Sequence, residues 1–266
     1  MEKWFANKMK ILFDAHCHIN EETLTDEERE AIVKDIINSN IEFVCDAAFN
    51  YKGTLDSIKH ANMYPWCYAT IGVHPYDVGE LSDEMMDEFR KLAKENPKVR
   101  AVGEIGLDYH MENPDKDLQR EWFRRQIRLA KELDLPIMVH SREADKETMD
   151  ILKDEEAFTQ RVYIHCFSGS KEMGLEYVKL GAVLGIDGPV TYKNARKTVE
   201  VVEAVPIENI LIETDSPYLT PAAHRGERNK PSYVEFVARK IAEIKGMSYE
   251  DVSRITNENA RKYYGI

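Results

Sequence analysis

The chain has 266 residues, 43% of them hydrophobic, and carries a formal net charge of −12. That length suits one α/β barrel of about 250 residues, and the apolar content is ample for a core. The excess of acid argues against broad adhesion to duplex DNA, which needs many Lys and Arg contacts to phosphate, but it permits an enzyme that grips a few phosphates locally.

Residues 1–8 contain no apolar run of the kind a secretory leader needs. No later run approaches the ~20 residues that span a bilayer. The expected location is therefore the cytoplasm, away from membranes. The first strand is expected over residues 10–15, leading into His16 and His18. Thr25-Asp-Glu-Glu28 has the form of a capping box and opens a helix to about Ser39. Strands follow over 41–47 and 66–73, then a helix opened by Ser82 and stopped before Pro97. A fourth strand over 99–104 ends in Glu104. Leu118, Trp122, Ile127, Ala130 and Leu133 form the apolar stripe of a long helix that stops before Pro136. Strands over 137–140, 162–165, 182–186 and 210–214 alternate with helices over 144–154, 171–180, 193–204, 233–245 and 249–264.

Eight mostly continuous apolar runs alternating with helices predict parallel strands covered on both faces, and the count favours a closed (β/α)₈ TIM barrel over an open sheet. The length alone would permit two small domains. No Pro/Gly/Ser-rich linker marks a boundary, so one domain over 1–266 is expected. Cys17, Cys45, Cys67 and Cys166 form no CxxC and sit in or beside strands, where small buried thiols are the plain reading.

In such a barrel the C-terminal strand ends converge on one face, where the chemistry is done. His16, His18, Glu104, His140, His165 and Asp215 all lie at those ends. His16 and His18, two apart on an extended chain, point to the same side and can chelate one ion, with Cys17 facing away. Glu104 ends an apolar run, where a carboxylate is costly unless paired or metal-bound, and its two oxygens can bridge two cations. Taken singly, each has a plainer reading as a core histidine or an ion-paired acid. Four imidazoles and two carboxylates in one pocket describe a two-metal hydrolytic centre. Glu213 lies deeper on the side of Asp215, either behind the ligands or as structure at the base of the site.

The strings Phe13-Asp-Ala-His-Cys-His18, Gly72-Val-His-Pro75, Gly103-Glu-Ile-Gly-Leu-Asp-Tyr109, Val139-His-Ser-Arg142, His165-Cys-Phe-Ser-Gly169, Glu213-Thr-Asp-Ser-Pro217 and Arg225-Gly-Glu-Arg-Asn-Lys-Pro231 strongly resemble the TatD family of metal-dependent deoxyribonucleases, a branch of the amidohydrolase-like TIM barrels. The resemblance implies one metal on His16, His18, Glu104 and Asp215 and a second on Glu104, His140 and His165. It implies that His74 lies near the substrate. Arg142 and Arg225 are candidates for gripping phosphate, whose geometry a guanidinium matches bidentately. Tyr76, Tyr109 and Tyr192 are candidates for stacking on a base, and Arg228 and Asn229 for ordering the loop before Pro231. The expected activity is cleavage of phosphodiester bonds in DNA, from single-strand ends, with Asp215 taking the proton of a metal-activated water and His74 helping the departing oxygen. The expected cofactors are two divalent cations, Zn, Mn, Ni or Mg. The alternatives are an amidohydrolase that cleaves C–N or C–O bonds with the same ligand set, and a non-catalytic binding protein that kept the barrel.

Overall fold

The computed structural model describes residues 9–110 and 112–266. The segment 1–8, read above for a leader, lies outside the described residues. Eight strands form one sheet in the order β1 to β8, and every neighbouring pair runs parallel. They are β1 (Leu12–Cys17), β2 (Ile41–Asp46), β3 (Cys67–Ile71), β4 (Val99–Asp108), β5 (Ile137–Arg142), β6 (Val162–Ile164), β7 (Val183–Ile186) and β8 (Ile210–Ile212). Between and after them run α1 (Asp26–Asn38), α2 (Tyr51–Met63), α3 (Asp83–Glu95), α4 (Lys116–Leu133), α5 (Asp145–Asp154), α6 (Lys171–Lys179), α7 (Arg196–Ala204), α8 (Val234–Lys245) and α9 (Tyr249–Tyr264). Parallel neighbours need a crossover, and a helix supplies each one on the outer face. No described helix is long and apolar enough to cross a membrane.

The ring closes between β8 and β1 with few ladder bonds. Cys17 and Ser216 form one parallel bridge. Asp215 N–H donates to His16 O at 2.9 Å, and His18 N–H to Ser216 O at 2.8 Å. Lower in the seam a side chain replaces a backbone acceptor. The Asp14 carboxylate accepts from Thr214 N–H at 2.8 Å and from the Thr214 hydroxyl at 2.6 Å. Burial pushes Asp14 up to about 7, against the pull of those two bonds. The last bonds of the seam thus join His16, His18 and Asp215, so closing the barrel also assembles half of the candidate ligands.

Successive side chains on a strand face opposite sides, which produces two cores. Leu12, Val44, Ile71, Val102 and Ile105 face outward and pack with Phe123 and Ile127 of α4 and with the other helices. Phe13, Ala15, Cys45, Ala47, Ala101, Met138, Tyr163 and Leu211 fill the barrel interior, joined by Tyr263 and Tyr264 of α9. The Tyr264 ring stacks on Phe13 at 5.5 Å between centroids, and its hydroxyl donates to Ala15 O at 2.6 Å. The C-terminal helix therefore plugs the floor of the barrel.

Two features differ from the sequence reading. The helix α2 carried no readable stripe. Its buried face is Gly53, Thr54, Ser57, Ile58, His60 and Ala61, mostly small or polar residues that pack close to the sheet and leave little apolar periodicity. Asn50 caps it, accepting from Gly53 N–H at 2.7 Å. Strands β4 and β5 also run on past Glu104 and His140 instead of ending there. They continue as a paired ribbon, with Gly106 opposite His140 and Asp108 opposite Arg142. Two glycines permit so close a pairing: a Cβ on Gly103 would lie 2.4 Å from Met138 Cβ, and one on Gly106 would lie 1.9 Å from His140 O.

Candidate metal centre

The register of β1 slips between Asp14 and Cys17. Below the slip Phe13 and Ala15 face the interior, and above it His16 and His18 do. Cys17 stays in the outer layer and its thiol donates to Cys45 O at 3.4 Å, as the alternation predicts. Glu104 is set by a hydroxyl between strands. Thr70 Oγ accepts from Ala48 N–H at 2.8 Å and donates to Gly103 O, while Glu104 N–H donates to Ala48 O at 2.8 Å. Asp215 sits at φ +53° and Cys166, after His165, at φ +45°. Left-handed backbone is costly for residues with a side chain and persists where the surroundings enforce it.

All six residues read as ligands meet, and Glu104 divides them. Around its Oε2 stand His16 Nε2 at 3.5 Å and His18 Nε2 at 3.7 Å. Those two nitrogens are 3.0 Å apart, and they lie 3.4 and 3.3 Å from Asp215 Oδ1. Around Oε1 stand His140 Nδ1 at 2.7 Å and His165 Nε2 at 2.9 Å, themselves 3.4 Å apart. Donors bound at about 2.0–2.2 Å to one cation stand roughly 3.0–3.5 Å from each other, so both groups have a spacing a cation fits.

The far nitrogen of each imidazole has its own neighbour. His18 Nδ1 donates to Ala47 O at 2.8 Å. His16 Nδ1 lies 3.2 Å from Met138 Sδ, His140 Nε2 lies 3.0 Å from Asp108 Oδ2, and His165 Nδ1 lies 3.5 Å from Glu213 Oε1. Such contacts fix ring orientation and direct the other nitrogen inward. The sequence reading ends β4 at Glu104 and so leaves Asp108 out of the site, whereas the strand runs to Asp108. The signal was present: Asp108 is four residues further along the same extended strand. Glu213 forms the base, accepting from Cys166 N–H at 2.6 Å and from the Tyr163 hydroxyl.

Electrostatically the cluster demands positive charge. Burial works against ionising Glu104, yet His165, His140 and His16 hold it well below the usual carboxylate range. Burial likewise opposes the charge on Asp215, and His16 and His18 hold that carboxyl down. Burial disfavours protonated imidazole, but the carboxylates push His16 well above its ordinary value and His140 up to about 9. Buried carboxylates held ionised beside converging imidazole nitrogens are the environment a divalent cation satisfies.

His74 stands apart. Burial and the neighbouring His140 depress it to about 3, so it is neutral. Its Nδ1 accepts from Tyr76 N–H at 3.1 Å, and Nε2 lies 3.8 Å from Glu104 Oε1. Arg142 is exposed and lines the cavity of about 760 Å³ above the cluster. Arg225 is exposed outside that lining, with its guanidinium 5.8 Å from the Tyr192 ring. Tyr76 lines the cavity, whereas Tyr109 is tied to Glu147 at 2.6 Å and Tyr192 to Thr220 O at 2.9 Å. Asn229 Nδ2 donates to Thr214 O at 2.8 Å, holding the loop after β8, and Arg228 pairs with Glu28 at 2.8 Å. Three cysteines are buried as expected, but Cys166 is only partly so and lines the cavity.

A closed (β/α)₈ ring with histidines and carboxylates gathered at its mouth defines a TIM-barrel metal-dependent hydrolase. The chain belongs to the TatD family: residues 13–265 match the family described as TatD related DNase. It is 41% identical over 256 residues to the uncharacterized metal-dependent hydrolase YabD of Bacillus subtilis, covering 96% of this chain and 100% of that one. It is 32% identical over 260 residues to the similarly described YcfH of Escherichia coli K12, covering 96% of each. Among solved structures, the TatD homolog YjjV of Escherichia coli K12 superposes with a TM-score of 0.90 at 27% identity, covering 97% of this chain and 99% of that one. The phosphotriesterase homology protein of Escherichia coli, solved with phosphate in its active site, shares the fold at a TM-score of 0.69 and 17% identity, covering 96% of this chain and 99% of that one.

Proposed function

We propose that this hydrolase is a dinuclear deoxyribonuclease that trims DNA from single-strand ends. The observation that carries the reading is the division of Glu104, each of whose oxygens faces a separate group of nitrogen donors. His16, His18, Glu104 and Asp215 would hold one divalent cation, and Glu104, His140 and His165 the other. When bound, the cations supply Lewis acidity, polarising a phosphoryl oxygen and lowering the pKa of a water toward ~7. Imidazole-rich ligation favours Zn, Mn or Ni over Mg.

The side chains divide the remaining work. Asp215, ionised at the edge of the cavity, accepts the proton of the attacking water. His74 is neutral, and the hydrogen bond that Nδ1 accepts leaves Nε2 protonated. It therefore offers an N–H to the departing oxygen. Arg142 on the rim grips non-bridging oxygens, and Arg225 meets the strand further out. A cavity of about 760 Å³ admits a nucleotide, whereas a duplex would have to unstack its terminal pairs to enter. The family description supports DNA as the substrate.

Two measurements test this. Protein saturated with Mn²⁺ or Zn²⁺ should hold about two ions per chain, as a two-metal site requires. End-labelled single strands should release mononucleotides, while closed circular duplex should stay intact. Reproducible absence of metal would point to a binding protein. Turnover of amides with none of DNA would point to an amidohydrolase.

A further inference from the structure

Two exposed tyrosines stand in the cavity mouth, Tyr76 at 48% and Tyr218 at 51% exposure. They lie on opposite sides of Glu104. Tyr218 meets His18 edge-on at 6.3 Å between ring centroids, and Tyr76 meets His74 edge-on at 4.8 Å. His18 and His74 in turn approach different oxygens of Glu104, at 3.7 and 3.8 Å.

The walls beside the two rings differ in charge. Next to Tyr218 the wall is acidic. Its hydroxyl donates to Glu21 Oε2 at 2.7 Å, and Glu21 is 7% exposed on the loop after β1. Asp77 lines the same cavity, with Glu80 and Glu22 as its charged neighbours. Across the mouth stands Arg142, at the end of β5, with the hydroxyls of Ser141 and Ser168. β1 and β5 are diametrically opposed in a ring of eight consecutive strands. The Tyr76 hydroxyl lies by Asp108 and Arg142 and so belongs to this second wall, where Asp108 is paired with His140 Nε2 at 3.0 Å and Arg142 faces the cavity.

We propose that the cavity is a strand-end pocket with a fixed polarity of charge: the terminal nucleoside stacks on Tyr218 with its free sugar hydroxyl toward Glu21 and Asp77, and the rest of the strand leaves over Tyr76 and Arg142. The inference rests on the phosphodiesterase reading above. A carboxylate accepts a hydrogen bond from a hydroxyl but repels a phosphate, so the acidic wall admits a bare end and rejects a phosphorylated one. An internal linkage has phosphate on both sides, and one of them would face the same wall. The Tyr218 ring is held by its bond to Glu21, and stacking on such a ring tolerates any base. Arg142 accommodates the next phosphate.

The test uses the full chain loaded with Mn²⁺ and three single strands of one sequence: both ends hydroxyl, a phosphate on the 5′ end, or a phosphate on the 3′ end. A phosphate on one particular end should slow mononucleotide release about tenfold or more, which is about 1.4 kcal/mol. A phosphate on the other end should have little effect. Glu21→Gln and Asp77→Asn, separately and together, should shrink that discrimination. Reading the single variants separately guards against a pair that fails to fold. Tyr218→Ala should raise KM for a strand ending in a normal base, but not for one ending in an abasic sugar. Tyr218→Phe keeps the stacking face but loses the bond to Glu21, so its KM on the normal-base strand should lie between those of wild type and Tyr218→Ala. Equal rates on all three strands, or discrimination undiminished in every carboxylate variant, would overturn the inference alone. Failure of the metal-loaded protein to cleave any strand would overturn the phosphodiesterase reading, and this inference with it.

Discussion

The floor and the mouth of this barrel are built from the same strands, one turn of pleat apart, yet they obey opposite rules. At the floor, Phe13, Met138, Tyr163 and Leu211 meet Tyr263 and Tyr264 of α9 in a filled apolar interior. At the mouth the next inward positions are His16, His18, Glu104 and His140, and their donors converge to within 2.7–3.7 Å of Glu104. The floor gains stability from every contact. The mouth gathers buried charge that must be offset by protons or cations, at a cost the floor supports. Stability and function are therefore separable along the barrel axis, and substitutions at the two ends should separate them.

The largest effect is expected at the mouth. Glu104→Gln removes the charge both donor groups share. Hydrolysis should fall on the order of 10³-fold, and stoichiometric metal should be lost. Full metal content in this variant, measured by elemental analysis, would show that the donors at the mouth do not depend on the Glu104 charge.

Phe13→Ala is the counterpart at the floor. It opens a void beneath Tyr264 and should cost about 3–5 kcal/mol in urea unfolding. Metal stoichiometry and kcat of the folded protein should not change. A parallel loss of metal would show that the two ends are coupled.

Asp108→Asn sharpens the picture within the mouth. Asparagine keeps the shape but not the charge beside His140 Nε2, so affinity for the cation that His140 would hold should fall about 10–100-fold. Titration calorimetry should show that site weakened and the other intact.

The smallest change is Tyr264→Phe, which deletes the 2.6 Å bond to Ala15 O and leaves the ring in place. About 1 kcal/mol of stability should go, with activity unaltered.

Much of this was readable in advance. The eight strands betray themselves as apolar runs because parallel strands are covered on both faces. The capping box at Thr25 and the N-cap at Ser82 mark helix starts through local hydrogen bonds, and both are made as read. The six candidate ligands were found because each follows an apolar run, and a polar group there requires a partner. The helix α2 escaped because its inward face is Gly53, Thr54, Ser57 and His60, whose burial answers to the strand beneath. Arg142 and Arg225 looked equivalent in sequence, yet only Arg142 lines the cavity.

The alternation of strand and helix and the identity of the chemically expensive residues are legible along the chain, because both leave a local mark: a periodicity, or a charge at the end of an apolar run. Folding across the ring decided how the donors divide between the two oxygens of Glu104, that Asp108 backs His140, and that Glu21 and Arg142 line one cavity from opposed strands. Those depend on the register slip in β1, on the ribbon by which β4 and β5 outrun the rim, and on where ring closure sets β1 against β8. Each is a relation between strands up to 200 residues apart, as in the bond from Thr214 to Asp14, and such relations exist only once the ring has closed.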